Sequence, residues 1–329
     1  MKKFINDPGL VEQEMVLGME KAYPHYLRKL ECGNVLVRAV PKAERVALVS
    51  GGGSGHEPAH GGFVGEGMLD AAVSGAVYTS PTPDLILEAV KSVATPAGVL
   101  LIIKNYTGDV MNFEMAAELA EMEGIPVAKV IVNDDVAVKD SLYTTGRRGV
   151  AGTLFVHKIA GALAEEGAGL LEVQEMAQRV IDNVRTMGVA ISPCTVPAAG
   201  VPGFTLSDSE MEVGIGIHGE PGTYRAPLKR VDEIVDLLLE KILEDLDYSD
   251  SETAVLVNGA GGTPLMELFI ANNRIADVLA GKGITVFKTM VGNYMTSIDM
   301  QGFSVTLLRL DEQMKRLLTA KADTPAWKE

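Results

Sequence analysis

The sequence predicts an α/β protein, and three observations lead to this expectation. Short apolar runs alternate with segments of helical spacing along most of the 329 residues, a pattern typical of strand–helix units built around a sheet. Residues 98–105 are almost continuously apolar, as expected of a strand that is buried on both faces of a parallel sheet. The chain is also 47% hydrophobic and contains 35 glycines, which favours aliphatic strands joined by glycine-rich turns.

The first predicted domain covers residues 1–188 and contains a largely parallel, mixed sheet flanked by helices. Its first helix lies within residues 9–30 and is broken at Pro24, because proline removes a helical hydrogen bond. Strands are predicted at residues 34–40, 45–50, 98–105 and 126–134. Further helices are predicted at residues 82–94, 113–124, 152–167 and 170–188.

The second predicted domain, residues 189–329, is a smaller α/β sandwich with a different order of elements. Several prolines between residues 193 and 204 mark the boundary, since proline clusters are typical of connecting segments. Strands are predicted at the start of residues 211–222 and at residues 253–262, 284–292 and 302–310. Helices are predicted at residues 230–246 and 264–283.

Charge and composition exclude several classes of function. The net charge of −15 argues against nucleic-acid binding, which needs a basic surface to neutralise phosphates. Cys32 and Cys194 form no C-x-x-C pair and are expected to be reduced thiols. Neither a signal peptide nor an apolar run long enough for a bilayer is visible in the sequence. We therefore expect a cytoplasmic protein with no nucleic-acid or membrane partner.

The stretch GGGSGHEPAH, residues 51–60, contains the H-E-x-x-H spacing of zinc proteases. That metal site needs both histidines on one face of one helix. His56 instead follows six residues that are all Gly or Ser. A helix tolerates a proline such as Pro58 only in its first turn. Zinc binding is therefore not favoured, His60 is expected to be structural, and Pro58 is expected to start a helix just after His56.

The same stretch can instead bind a ligand through its backbone. It follows the strand at 45–50, and the carboxyl ends of parallel strands are where α/β proteins commonly bind ligands. A glycine-rich loop there presents N–H groups that can cradle a small polar molecule or a phosphate, with Ser54 and His56 at its end. The structural alternative is a tight turn capped by Ser54.

A carboxylate follows the next buried strand. Asp109, in KNYTGD (104–109), is expected at the same sheet edge as His56. It could act as general base for a substrate hydroxyl, with Lys104 neutralising an anion or supporting the carboxylate. The alternative is that Asp109 caps a helix beginning near residue 112, and the sequence favours the two interpretations equally.

Three further motifs remain open. His218 ends a strand in GIGIHGEPG (214–222), although a lone histidine is more often structural, as we expect for His25 and His157. The two arginines of DSLYTTGRRG (140–149) could contact a phosphate or a partner, or belong to a solvated loop. The glycines of NGAGGTP (258–264) could bind a ligand or close a tight turn.

Taken as a set, these motifs resemble the dihydroxyacetone kinase family, and within it the substrate-binding K subunit. The resemblance runs over essentially the whole chain. It rests on SGGGSGHEP, TSPTPD, LLIIKNYTGD, DDVAVKDSLYTTGRRGVAGT, CTVPAAG, GIGIHGEPG and TSIDMQGFS.

The resemblance implies a role for each matching position. His218 is expected to hold dihydroxyacetone covalently, because its ring nitrogen adds to the carbonyl carbon and forms a hemiaminal. Gly53, Ser54, Gly55 and His56 are expected to line the substrate pocket. Lys104 and Asp109 are expected to hydrogen-bond the substrate, and Asp109 and His56 to help deprotonate the attacking hydroxyl.

The resemblance also implies the partners. ATP-dependent relatives continue into a helical nucleotide-binding domain, whereas this sequence ends at Glu329 without a P-loop. We therefore expect the split bacterial system, in which a separate L subunit carries ADP or ATP with Mg²⁺ and an M phosphocarrier subunit recharges it. This chain would need no metal or nucleotide of its own and would form a homodimer. The alternative is a non-catalytic, dihydroxyacetone-binding paralogue that acts as a transcriptional co-activator.

Overall fold

The computed structural model describes residues 2–41, 44–138 and 145–329. Its α-helices in those ranges are α1 Val11–Ala22, α2 Pro83–Val93, α3 Thr107–Met122, α4 Thr153–Glu165, α5 Leu170–Asn183, α6 Val231–Asp245, α7 Leu265–Gly281 and α8 Glu312–Leu318. Its strands there are β1 Leu27–Lys29, β2 Val35–Arg38, β3 Ala47–Ser54, β4 Ala71–Val77, β5 Val99–Lys104, β6 Val127–Val132, β7 Val184–Ser192, β8 Glu210–Val213, β9 Tyr224–Pro227, β10 Glu252–Gly259, β11 Thr285–Gly292 and β12 Gln301–Leu310.

Two six-stranded sheets organise these described residues. The first has the order β1-β2-β4-β3-β5-β6, and β4, β3, β5 and β6 run parallel to one another. The second has the order β11-β10-β12-β7-β8-β9 and is antiparallel except for the pair β10–β11. The α/β class is therefore confirmed.

Helix α4 lies between the two sheets. All its residues from Thr153 to Ala164 are buried, and one apolar cluster joins Phe155 to Leu100 of the first sheet and Leu308 of the second. Helices α2 and α3 cover the other face of the first sheet, whereas α6 and α7 cover that of the second. A mostly apolar helix is stable in this position only when neighbours cover every side of it, which explains the layered arrangement.

The division of the chain at residues 188 and 189 stays a prediction, and it falls inside β7 of the second sheet. Residues 184–188, predicted as the end of a helix, are instead the start of that strand. Their backbone pairs with β12 along its length, and this pairing overrides the helical spacing. No helix among the described residues is both long and apolar enough to cross a bilayer.

The glycine-rich stretch differs from its prediction in two ways. Strand β3 continues through Gly51–Gly53 to Ser54, so these glycines belong to the sheet rather than to a loop. A Cβ at Gly51 would lie 2.3 Å from the carbonyl oxygen of Val73 in β4, which explains why a side chain is absent there.

The helix expected after Pro58 is also wrong. Only a three-residue 3₁₀ turn, Gly61–Phe63, forms there, since two successive glycines disfavour a longer helix. The backbone before it is held by the second half of the chain, because the Ile298 N–H donates to Gly55 and the Thr296 N–H donates to His56.

Candidate active site

A cavity of about 600 Å³ opens beyond the carboxyl ends of β3 and β5. The first half of the chain supplies one wall and the segment around His218 supplies the other. The lining residues are Gly53, Tyr78, Ser80, Tyr106, Thr107, Gly108, Asp109, Gly203, His218, Gly219, Glu220 and Pro221. The carboxyl ends of the strands of a parallel sheet are a common place for ligands in α/β proteins.

Three aromatic rings surround the imidazole of His218. The centroids of Tyr106, His56 and Tyr78 lie 4.3, 4.8 and 5.4 Å from it, each at a steep angle to its plane. Burial, with help from nearby His56 and Lys104, lowers the pKa of His218 well below its usual value. The ring is therefore neutral near pH 7, with one unprotonated nitrogen able to act as a nucleophile.

His56 is fully buried and fixed in one tautomer. Its Nδ1 lies 2.8 Å from the carbonyl oxygen of Thr296, and since a carbonyl can only accept, Nδ1 carries the proton. Nε2 therefore has a free lone pair, and it finds no hydrogen-bond partner in the described protein. Burial, and next the charge of Lys104, lower the pKa of His56 to about 3.

Lys104 and Asp109 form a buried pair beside these rings. Lys104 ends β5 with no exposed surface, and its Nζ lies 3.5 Å from Oδ2 of Asp109 in the first turn of α3. The amino end of a helix favours a carboxylate. The alternative in which Asp109 caps a helix beginning near residue 112 is wrong, because α3 begins at Thr107 with Tyr106 as its cap residue. Oδ1 of Asp109 is buried without a partner in the described residues.

Gly52 keeps space for this pair. Its φ is +150°, and a Cβ there would lie 2.5 Å from Nζ of Lys104 and 3.4 Å from Oδ2 of Asp109. A side chain at this position would therefore displace the ammonium group. This requirement gives one of the glycines before Ser54 a definite role.

The predicted site residues are brought together, but at different depths. Gly53, Asp109 and His218 line the cavity. His56 and Lys104 lie directly behind it, in ring contact with His218 and in the ion pair with Asp109.

Ser54 and Gly55 are turned toward the protein. The hydroxyl of Ser54 donates to the carbonyl oxygen of Gly75 at 2.7 Å. The carbonyl of Gly55 accepts the N–H of Ile298. Their contribution to a pocket for substrate stays a prediction.

The unpartnered polar atoms around the cavity are informative. Within the described residues, Nε2 of His56, Oδ1 of Asp109 and the hydroxyl of Tyr106 are buried without hydrogen bonds. Leaving such groups unpaired costs about 1–3 kcal/mol each. A bound ligand with several hydroxyl groups would supply the missing partners.

His60 belongs to a different environment from His56. Its Nδ1 lies 2.9 Å from Nε2 of His157 on α4. Burial lowers the pKa of His157 to about 3 and that of His60 well below its usual value. The two histidines of the H-E-x-x-H spacing thus have separate partners, and His157 is a packed core residue as predicted from its apolar neighbours.

The described part of the GRRG segment is bonded to carboxylates. Arg147 pairs with Asp245 on α6. Arg148 has only 1% of its side chain exposed and pairs with Asp135 and Glu220. The solvated-loop interpretation is therefore wrong for Arg148, whereas residues 140–144 of that motif lie outside the described residues.

Sequence reasoning missed three side chains of the site. Tyr106 and Glu220 lie inside motifs that were singled out, so their proximity to Asp109 and His218 was a usable signal. Tyr78 gave none, because it reaches the cavity from a turn with φ of +58°. Its hydroxyl bonds Cys194 at 3.2 Å and Ser297 at 2.8 Å.

Fold and site together define an α/β protein with a neutral histidine, a carboxylate and a buried lysine at or directly behind one cavity of about 600 Å³. The family model described as the Dak1 domain matches residues 17–326. The chain is 52% identical over 328 residues to the dihydroxyacetone-binding subunit DhaK of the PTS-dependent dihydroxyacetone kinase of Lactococcus lactis, and covers 99% of both chains.

Solved structures agree with this similarity. The dihydroxyacetone kinase of C. freundii superposes with a TM-score of 0.90 at 37% identity, over 99% of this chain and 60% of the kinase. The dihydroxyacetone kinase operon co-activator Dha-DhaQ superposes with a TM-score of 0.89 at 37% identity, over 95% of this chain and 96% of the co-activator.

The chain therefore belongs to the Dak1 family, and the expected resemblance to the K subunit of dihydroxyacetone kinases is confirmed. The fold alone does not separate kinase subunits from co-activators, since both superpose equally well. Sequence identity favours the kinase subunit, at 52% against 37% for the co-activator.

Proposed function

We propose that this chain is the dihydroxyacetone-binding catalytic subunit of a PTS-dependent dihydroxyacetone kinase and helps transfer a phosphoryl group to that substrate. One observation carries the proposal. A neutral imidazole with a free nitrogen, His218, faces the same small cavity as the carboxylate of Asp109. Similarity to the DhaK subunit of Lactococcus lactis supports the choice of substrate.

The first step is covalent capture. The lone pair of an unprotonated His218 ring nitrogen attacks the carbonyl carbon of dihydroxyacetone, and the π electrons of the C=O bond move to its oxygen. The alkoxide gains a proton while the imidazole loses one, which leaves a neutral hemiaminal. Capture of this kind selects carbonyl compounds and rejects glycerol, which has hydroxyls but no electrophilic carbon.

The second step is transfer to a terminal hydroxyl of the captured substrate. Asp109 and Nε2 of His56 are the acceptors available for its proton, since both have buried, unpartnered acceptor atoms. The hydroxyl oxygen then attacks the donor phosphorus as the bond to the leaving oxygen breaks. Covalent capture holds the hydroxyl in place and so lowers the entropic barrier.

The phosphoryl donor belongs to a partner in this proposal. An L subunit supplies ATP with Mg²⁺, and an M phosphocarrier subunit recharges the ADP that remains. This chain acts as a homodimer and contributes no metal or nucleotide site. The name of the Lactococcus lactis relative, a subunit of a PTS-dependent kinase, supports the existence of such partners.

A reconstituted assay tests the proposal. The purified chain is mixed with L and M subunits, phosphoenolpyruvate and the general phosphorelay proteins, and dihydroxyacetone phosphate is measured. We expect turnover that requires this chain and disappears in His218→Ala. No turnover with the wild-type chain, in an assay where a known K subunit is active, would contradict the kinase function and favour the co-activator alternative.

A further inference from the structure

The segment that carries His218 is held by one buried guanidinium group. Nη2 of Arg148 donates to the carbonyl oxygen of Gly214 at 2.7 Å. Nη1 lies 3.3 Å from Oε1 of Glu220. Glu220 uses its other oxygen, Oε2, to accept the backbone N–H of His218 at 2.9 Å. Arg148 is thus joined to both ends of the His218 loop, and through one carboxylate to His218 itself.

Asp135 fixes the guanidinium from the other side. Nε of Arg148 donates to Oδ2 of Asp135 at 2.7 Å, and Nη2 lies 2.5 Å from the same oxygen. The backbone N–H of Asp135 donates to the carbonyl of Arg148. All three charged side chains are at least nine-tenths buried. A planar guanidinium can satisfy several acceptors in fixed directions, which an ammonium group cannot do.

The loop sequence is adapted to this arrangement. A Cβ at Gly216 would lie 1.9 Å from Oε1 of Glu220 and 2.7 Å from Nη1 of Arg148. Only glycine leaves room for the carboxylate to fold beneath the loop. Gly214 adopts a φ of +73°, which an L side chain rarely takes, and it turns its carbonyl toward the guanidinium.

We propose that Asp135, Arg148 and Glu220 form a brace that positions the imidazole of His218 for capture of the substrate carbonyl. The proposal rests on the covalent role of His218 proposed above. Arg148 reaches the loop from the segment after β6, whereas His218 follows β8 of the other sheet. The brace therefore sets how the two halves of the cavity face each other. It also assigns a role to the GRRG motif, with Arg148 as a positioning residue.

Replacing Glu220 tests the brace without leaving the buried guanidinium group of Arg148 unpaired, because Arg148 still pairs with Asp135. We expect Glu220→Ala to raise KM for dihydroxyacetone about tenfold and to lower the adduct fraction seen by native mass spectrometry accordingly. The kcat should remain within about threefold of wild type, because substrate that is captured still reacts. Glu220→Gln keeps an acceptor for the His218 N–H, so its KM should lie between those of Glu220→Ala and wild type.

Arg147→Ala is the matched control, since Arg147 pairs with Asp245 and, within the described residues, with no member of the brace. Asp245 stays paired with Arg185 in this variant. We expect its KM and adduct fraction to equal those of wild type. An unchanged KM in Glu220→Ala, with the adduct present in wild type, would overturn the brace and leave the proposed function intact. A wild-type chain that forms no adduct would instead contradict covalent capture itself. Equal loss in Arg147→Ala and Glu220→Ala would also overturn the brace, because the effect would then be general.

Discussion

The imidazole rings of His56 and His218 meet edge to face, with their centroids 4.8 Å apart and their planes inclined by 71°. His56 follows β3 of the first sheet, whereas His218 follows β8 of the second. The cavity therefore depends on how the two sheets are docked. One contact joins the residue proposed as nucleophile to a residue proposed as base.

Replacing the carboxylate should separate binding from transfer. In Asp109→Asn we expect dihydroxyacetone binding to persist and the rate of phosphoryl transfer to fall by about 10²–10⁴, the usual contribution of a general base. Adduct formation by mass spectrometry and turnover in the reconstituted assay measure the two effects. Glu114→Gln, on the exposed face of the same helix, is the control and should be active. A near-normal rate in Asp109→Asn would refute its role as base.

The buried histidines should make the fold sensitive to acid. Burial lowers the pKa of His157 to about 3 in the folded protein, whereas the same imidazole has a pKa of about 6.5 in the unfolded chain. Below pH 6.5 the unfolded state binds more protons than the folded state does. The contribution of His157 to the free energy of unfolding is therefore complete above pH 6.5 and falls as the pH decreases toward 3. Denaturant titrations between pH 6 and pH 4 give the free energy of unfolding at each pH. In His157→Gln the slope of this free energy against pH should be smaller by about 1.4 kcal/mol per pH unit. An unchanged slope would mean that His157 is protonated in the folded state.

Two tyrosines of the cavity should differ in their contribution to stability. Tyr78→Phe removes a hydroxyl that bonds Cys194 and Ser297, and should lower the free energy of unfolding by about 0.5–1.5 kcal/mol. Tyr106→Phe removes a buried hydroxyl that has no partner in the described protein, so stability should be unchanged or slightly higher. Denaturant unfolding of both variants measures the difference. A larger loss in Tyr106→Phe than in Tyr78→Phe would reverse this assignment.

Gly52 offers a test of the buried ion pair. Gly52→Ala would bring a Cβ to 2.5 Å from Nζ of Lys104, so we expect the ammonium to shift and the affinity for dihydroxyacetone to fall about tenfold or more. Gly18→Ala in the exposed part of α1 has nothing within 4 Å and should leave binding unchanged while stabilising the helix slightly. Equal affinity in both variants would show that Lys104 does not depend on Gly52.

The sequence predicts the layers better than the boundaries. Strand β5 was predicted correctly because all six residues are buried and the five before Lys104 are apolar. Strand β4 was missed because its residues, AAVSGAV, are mostly small and give no clear periodicity. Residues 184–188 were misassigned because pairing with β12, which is distant in the chain, decides their conformation.

The functional site was also predicted better within one sheet than between the two sheets. Asp109 and His56 were predicted at one sheet edge because both follow strands of one parallel sheet. The contact of His218 with Tyr106 was not predictable, since it depends on the docking of the two sheets. The bonds of Arg148 to the His218 loop were missed for the same reason, and no local pattern announces a buried arginine.

The most direct test of the account is a crystal structure of this chain grown with dihydroxyacetone. We predict continuous electron density between a ring nitrogen of His218 and the central carbon of the substrate, with a terminal hydroxyl near Asp109 and His56. Dihydroxyacetone bound in this cavity without a covalent bond to His218, or bound elsewhere on the chain, would contradict the account.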